Sequence, residues 1–199
     1  AWAGFAVATR HGLALLAWAT AALGVGAAIG LRFRTHAPGA LGIAPWLFLL
    51  GSLVLLAATV DVLRRQTAMF TFTLTLGALC WSTGNALWAL GATVHAVVPW
   101  WLAFLILTIA GERLELSRFL PPSPFARRAF GLILAGSLAG LLGIATAWGP
   151  SVFGGSLFAL ALWLGKQDIA RRTVRGKGLT RFIAVCLLSG YAWLALGGA

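Results

Sequence analysis

The chain has 199 residues, 60% of them hydrophobic and 10% charged, with fifteen Lys and Arg against four Asp and Glu for a net charge of +11. Soluble domains carry about 25% charged residues, so this composition, with a mean hydropathy of +0.93, excludes a water-soluble globular class and leaves an integral membrane protein. The basic residues sit in short connections between apolar stretches and not on a polar, water-facing element, which excludes nucleic acid as the partner; the partners expected are the lipid bilayer and other membrane subunits.

Hydropathy predicts an all-α, polytopic transmembrane helix bundle of about seven spans, at residues 12–31, 44–63, 68–92, 97–112, 129–149, 151–167 and 181–198. The chain begins without Met in sequence that reads as the middle of something, so a piece of a longer protein is expected. In the first span Ala22, Gly26 and Gly30 form a small-residue stripe of the kind that lets helices approach closely in lipid. The second span runs into Asp61, Arg64 and Arg65, which stand at i, i+3 and i+4. Such a trio is a candidate contact for anionic lipid or a partner, or a local ion pair that ends a helix.

The third span carries Gly77, Gly84 and Gly91 on one seam and Thr71, Thr75, Ala78, Ser82 and Asn85 on another, as the central helix of a bundle would. Asn85 is the strongly polar side chain at mid-depth, a candidate for interhelical bonding or for a ligand pocket. No Asp, Glu, Lys or Arg occurs between Arg65 and Glu112, far more than the ~20 apolar residues that one span needs. The third and fourth spans therefore read as a membrane hairpin with its turn around His95 to Pro99. Glu112 and Glu115 follow on one helical face with Arg113 and Arg118 nearby. Two carboxylates there could bind a cation or relay protons, or simply solvate a helix end.

Further on, Gly136 and Gly140 make a GxxxG in the fifth span. Asp168 with Arg171 and Arg172 repeats the earlier Asp-x-x-Arg-Arg pattern. Trp46, Trp100, Trp101 and Trp148 lie near span ends, as interfacial anchors do. With seven spans, thirteen of the fifteen basic residues fall on one side and only Arg32 and Arg34 on the other. The positive-inside rule then sets the start of the chain in the cytoplasm of a bacterium, with a multi-pass protein in its inner membrane.

An internal repeat underlies this order. CLLSGYAWLALG from Cys186 lies over CWSTGNALWALG from Cys80 at an offset of 106, Gly190 falling on Gly84 and Tyr191 on Asn85. Upstream, Asp168 answers Asp61, and Pro150 with Gly155-Ser156-Leu157 answers Pro45 with Gly51-Ser52-Leu53. The unit is four spans long, so the copies run parallel: residues 1–118 form the first and 119–199 the second. The partner of the fourth span would begin about where the sequence stops.

The chemistry-bearing residues are sparse. Haem or copper in a bundle needs inward imidazoles, often two or more. His11 starts a span, His36 lies in a loop and His95 in the outer turn, while Cys80 and Cys186 are isolated in apolar sequence. No complete metal site is expected; His95, and after it His11, are the candidates for an edge ligand, and His95 for a quinone contact. No serine has the partners of a hydrolase triad.

The segments WALGATVHAVVPWWLAFLILTIAGERLELSR from Trp88, DIARRTV from Asp168 and RFIAVCLLSGYAWLALGG from Arg181 resemble stretches of bacterial polytopic proteins. These are distantly similar to the NnrS family of haem- and copper-containing membrane proteins linked to nitric oxide stress. The resemblance covers about half the chain and implies haem or copper as cofactor; the family's histidine-bearing helices have no match here, so no ligand residue carries over. Three roles are expected in turn: part of an NnrS-like protein, a non-catalytic subunit or assembly factor of a larger membrane complex, and a small-solute transporter.

Overall fold

A computed structural model describes residues 43–116 and 123–199. Over these residues the chain is helical, with no strand: α1 (Ile43–Arg65), α2 (Met69–Ala89), α3 (Val94–Leu116), α4 (Pro124–Leu142), α5 (Gly149–Gln167), the single turn α6 (Ala170–Thr173) and α7 (Leu179–Gly198). Helices are what such a sequence must form in hydrocarbon, because every backbone N–H and C=O has to be satisfied inside its own segment. Four of them, Ala44–Arg65, Val94–Leu116, Pro124–Leu142 and Leu179–Gly198, are long and apolar enough to cross a membrane. The expected first span, with Ala22, Gly26, Gly30, His11 and His36, lies outside the described residues, as does Arg118.

Two boundaries differ from expectation for local reasons. The hairpin turn is not at His95 to Pro99 but at residues 90–93, where Gly91 takes φ 100° and Ala92 N–H donates to the Leu87 carbonyl at 2.9 Å. His95 is thus in the first turn of α3, and Pro99 lies inside that helix, removing the bond that would run to the His95 carbonyl. The fifth span, expected at 129–149, is displaced to Pro124–Leu142. Ser123 accepts the Ala126 N–H at 3.2 Å and Pro124 supplies a preset first helical residue, so the helix starts before Arg127 and Arg128. Beyond Gly143 the chain turns on Thr146, whose hydroxyl donates to the Gly143 carbonyl at 2.6 Å and accepts the Gly149 N–H at 3.2 Å.

The chain divides into two compact units, one ending at Thr108 and the other spanning Ile109–Ala199, with the boundary inside α3. In the first, α2 lies antiparallel between α1 and α3. Its hydroxyl and amide seam faces α1: Thr75 donates to the Thr59 carbonyl at 3.1 Å, and the Ser82 hydroxyl is 3.0 Å from the Ser52 carbonyl. Gly77 and Gly84 of the glycine seam face α3, where Trp81 stacks on Phe104 at 4.9 Å between centroids; Gly91, expected on the same seam, lies past the helix end and meets nothing within 4 Å. In the second unit α5 lies antiparallel between α4 and α7. A Cβ on Gly140 would stand 2.4 Å from the Phe153 backbone nitrogen, so α4 and α5 meet at backbone contact, and Trp163 Nε1 donates to the Ala126 carbonyl at 2.9 Å.

The two middle helices, α2 with 21 residues and α5 with 19 residues, are not among the four helices apolar enough over their length to cross a membrane by themselves. A helix flanked by protein on two sides finds partners for its Thr, Ser and Asn side chains, so its composition need not match the hydrocarbon. That explains why polar residues collect on α2 and not on α1 or α3.

Candidate functional site

The polar centre of the first unit is Asn85, which is fully buried. Its Nδ2 donates to the Phe48 carbonyl of α1 at 3.2 Å, and its Oδ1 accepts Trp101 Nε1 of α3 at 2.9 Å. Trp88 closes the cluster, edge-on to Trp101 at 5.6 Å and tilted against Phe48 at 5.8 Å. Trp101 is therefore turned into the bundle and is not an interfacial anchor, whereas Trp46 and Trp148 are 56% and 53% exposed. With both ends of the amide engaged, the arrangement is interhelical bonding and not a mouth for a solute.

The other expected sites separate. His95 is exposed on the first turn of α3. Glu112 and Glu115 are exposed at its far end, and Arg113 between them is partly buried. Its Nε has no hydrogen-bond partner among the described residues. Among the described residues no group of three or more His, Cys, Asp and Glu is placed to hold a metal ion. Asp61 and Arg65 form the expected i, i+4 ion pair at 2.8 Å, with both side chains about half exposed; Arg64 is on the same exposed helix end.

The second Asp-x-x-Arg-Arg does not repeat that geometry. Asp168 sits just past α5, with φ −68° and ψ 143°, so the backbone has left the helix and the expected spacing to Arg171 and Arg172 is lost. Its side chain is buried: one carboxylate oxygen accepts the Ala170 N–H at 3.1 Å and the other accepts the Tyr191 hydroxyl of α7. The Arg113 guanidinium lies within electrostatic reach of that hydroxyl. Outward of Asp168 opens a cleft of about 500 Å³ lined by Lys166, Gln167, Asp168, Ile169, Arg171, Arg172 and Arg175. Sequence reasoning named Arg171 and Arg172 but missed Lys166, Arg175 and Tyr191. The signal for Tyr191 was its alignment with Asn85 in the sequence, one polar residue in place of another.

The third feature is a face of α7. Only Ala184, Tyr191 and Gly198 of this helix are buried, and Cys186, Ser189, Gly190, Trp193 and Gly197 are exposed. A Cβ built on Gly190 would meet nothing within 4 Å. Built on Gly84 of α2, it would stand 2.9 Å from Trp100 Cβ and 3.0 Å from Trp101 Cδ1. A groove of about 550 Å³ between α5 and α7, walled by Gly154, Gly155, Gly197 and Gly198 among others, lies at the end away from the basic cleft.

Residues 4–199 match the model of a family described as Domain of unknown function (DUF8744), and the chain belongs to that family. No curated protein and no solved structure matches it.

Proposed function

We propose that this family member is a multi-pass protein of the bacterial inner membrane that serves as a non-catalytic subunit or assembly factor of a larger membrane complex. Its architecture on this reading is seven spans built from a parallel four-span repeat, with the start of the chain in the cytoplasm. The distribution of charge supports the orientation: in the second unit every Lys and Arg from Arg127 to Arg181 lies at the end where α4 begins and α5 finishes.

The observation that carries the subunit reading is the bare face of α7. In lipid, helices associate through close packing on small residues, because the surrounding tails offer no hydrophobic drive. Gly84 is used that way, with two indole side chains of α3 seated on it. Gly190, its counterpart in the repeat, is open and continues towards a glycine-walled groove. The occupant on this reading is a transmembrane helix of another subunit that presents large aromatic side chains, as α3 does with Trp100, Trp101 and Phe104; a helix of this protein's own, the repeat's counterpart of α3, seated there in the full-length protein overturns it.

The test is purification of the full-length protein from native membranes in mild detergent. The expected result is a stoichiometric complex whose other chains are lost in Gly190→Leu and kept in Gly131→Leu, a substitution at another open helical glycine. A stable lone monomer overturns the reading. A Soret band in the purified protein would transfer the assignment to the NnrS-like role that the sequence resemblance implies, with haem or copper ligands outside the described helices.

A further inference from the structure

The sequence contains the Asp-x-x-Arg-Arg pattern twice, and the two copies spend their charge differently. In the first, Asp61 stays on the helix and its carboxylate pairs with Arg65, so the trio partly neutralises itself in solvent. In the second, the backbone breaks at the aspartate. Asp168 is 6% exposed and both of its oxygens are engaged inward, on Ala170 N–H and the Tyr191 hydroxyl. Among the described residues no salt bridge joins it to Arg171 or Arg172. Arg113, arriving from the end of α3, supplies positive charge on the buried side.

Withdrawing the carboxylate leaves Lys166 from the last turn of α5 and Arg171, Arg172 and Arg175 from the segment around α6 exposed about one cleft of about 500 Å³. Four cations within so short a stretch repel one another unless an anion sits between them. Guanidinium groups match phosphate oxygens through paired N–H donors, and Lys adds a point charge. The volume is in the range of small-ligand pockets, and basic pockets beside membrane helices take anionic headgroups.

We infer that the cleft between the end of α5 and α6 is a binding site for a phosphate-bearing anion, held by Lys166, Arg171, Arg172 and Arg175. The ligand is either the phosphate of a lipid headgroup or a free phosphate; the chemistry of recognition is the same. The site is independent of the α7 face and stands whether or not the chain is a subunit of a complex.

Two probes separate the sources. The full chain in neutral detergent is titrated with inorganic phosphate by calorimetry, and in parallel native mass spectrometry counts phosphatidylglycerol retained from micelles doped with that lipid. Saturable binding of phosphate assigns the free anion; retention of phosphatidylglycerol without phosphate binding assigns the headgroup. In either case Arg171→Gln with Arg172→Gln lowers affinity about tenfold or more, whereas Arg64→Gln with Arg65→Gln lowers it no more than about twofold. Should the first pair disturb folding, as read by helicity and monodispersity, Lys166→Gln with Arg175→Gln gives the same loss from other cations of the cleft. Equal losses from the two arginine pairs, or no saturable binding of either probe, overturn the inference.

Discussion

Trp101 donates its indole N–H to Asn85 at 2.9 Å across the interface between α2 and α3, while the same amide reaches the Phe48 carbonyl on α1. One side chain thereby fastens three consecutive helices at a depth where water is scarce. Its partners would otherwise have no replacement.

Asn85→Ala leaves the Trp101 N–H buried and unpaired and removes the tie to α1, which costs about 1–3 kcal/mol. Trp101→Phe removes the donor but keeps an aromatic ring, and costs less. Reversible unfolding in mixed micelles measures both. Proteoliposome uptake of any solute should not depend on Asn85 beyond this loss of stability, and uptake abolished by Asn85→Ala in a fully folded protein would favour the transporter role instead.

Tyr191→Phe deletes the hydroxyl that holds one oxygen of the Asp168 carboxylate, leaving that oxygen buried without its donor. The expected loss is about 1–3 kcal/mol. Asp61→Asn, by contrast, breaks an ion pair with both side chains about half exposed and changes stability by less than about 1 kcal/mol. Chemical denaturation of the two variants side by side checks the ordering.

Gly140→Ala forces a methyl group against the backbone of Phe153, and neither helix can yield without separating. A loss of about 1–3 kcal/mol or more follows. Gly131→Ala on the same helix meets open space and raises stability by up to about 1 kcal/mol, because alanine restricts the unfolded chain and favours helix. Melting curves of the pair should move in opposite directions.

Gly190→Leu does not lower the thermal stability of the isolated chain and raises it by up to about 1 kcal/mol, as Gly131→Ala does, since a Cβ at this helical position meets nothing within 4 Å, while Gly84→Leu collides with Trp100 and Trp101 and destabilises the first unit. A large loss in the isolated chain for Gly190→Leu would show that the face is already covered.

Composition and the run without Asp, Glu, Lys or Arg from Arg65 to Glu112 made the helical, apolar character readable, and Gly77, Gly84 and the Gly136–Gly140 pair marked faces that meet, whereas Gly91, expected on the same seam, serves the turn and meets nothing. Hydropathy misplaced α4 because it treats Arg127 and Arg128 as loop, although Ser123 and Pro124 start the helix ahead of them. It also took Trp101 for an anchor at the water boundary, since nothing local says that its N–H would face Asn85. The break at Asp168 was hidden for a similar reason. Identical Asp-x-x-Arg-Arg letters stay helical when solvent surrounds them and unwind when a tyrosine on a neighbouring helix claims the carboxylate, a partner 23 residues away.

The bonds that α2 and α5 make to their neighbours bear on how the chain is made. Most hydroxyls of α2 turn back on carbonyls of their own helix, but the acceptor of the Asn85 amide and the second acceptors of Thr75 and Ser82 lie on α1. The Trp163 indole of α5 needs the Ala126 carbonyl of α4, so each middle helix is fully satisfied only once its neighbour lies beside it. Biogenesis would then proceed by inserting pairs, α1 with α2 and α4 with α5, and a stall between the members of a pair would strand a segment that belongs in neither phase.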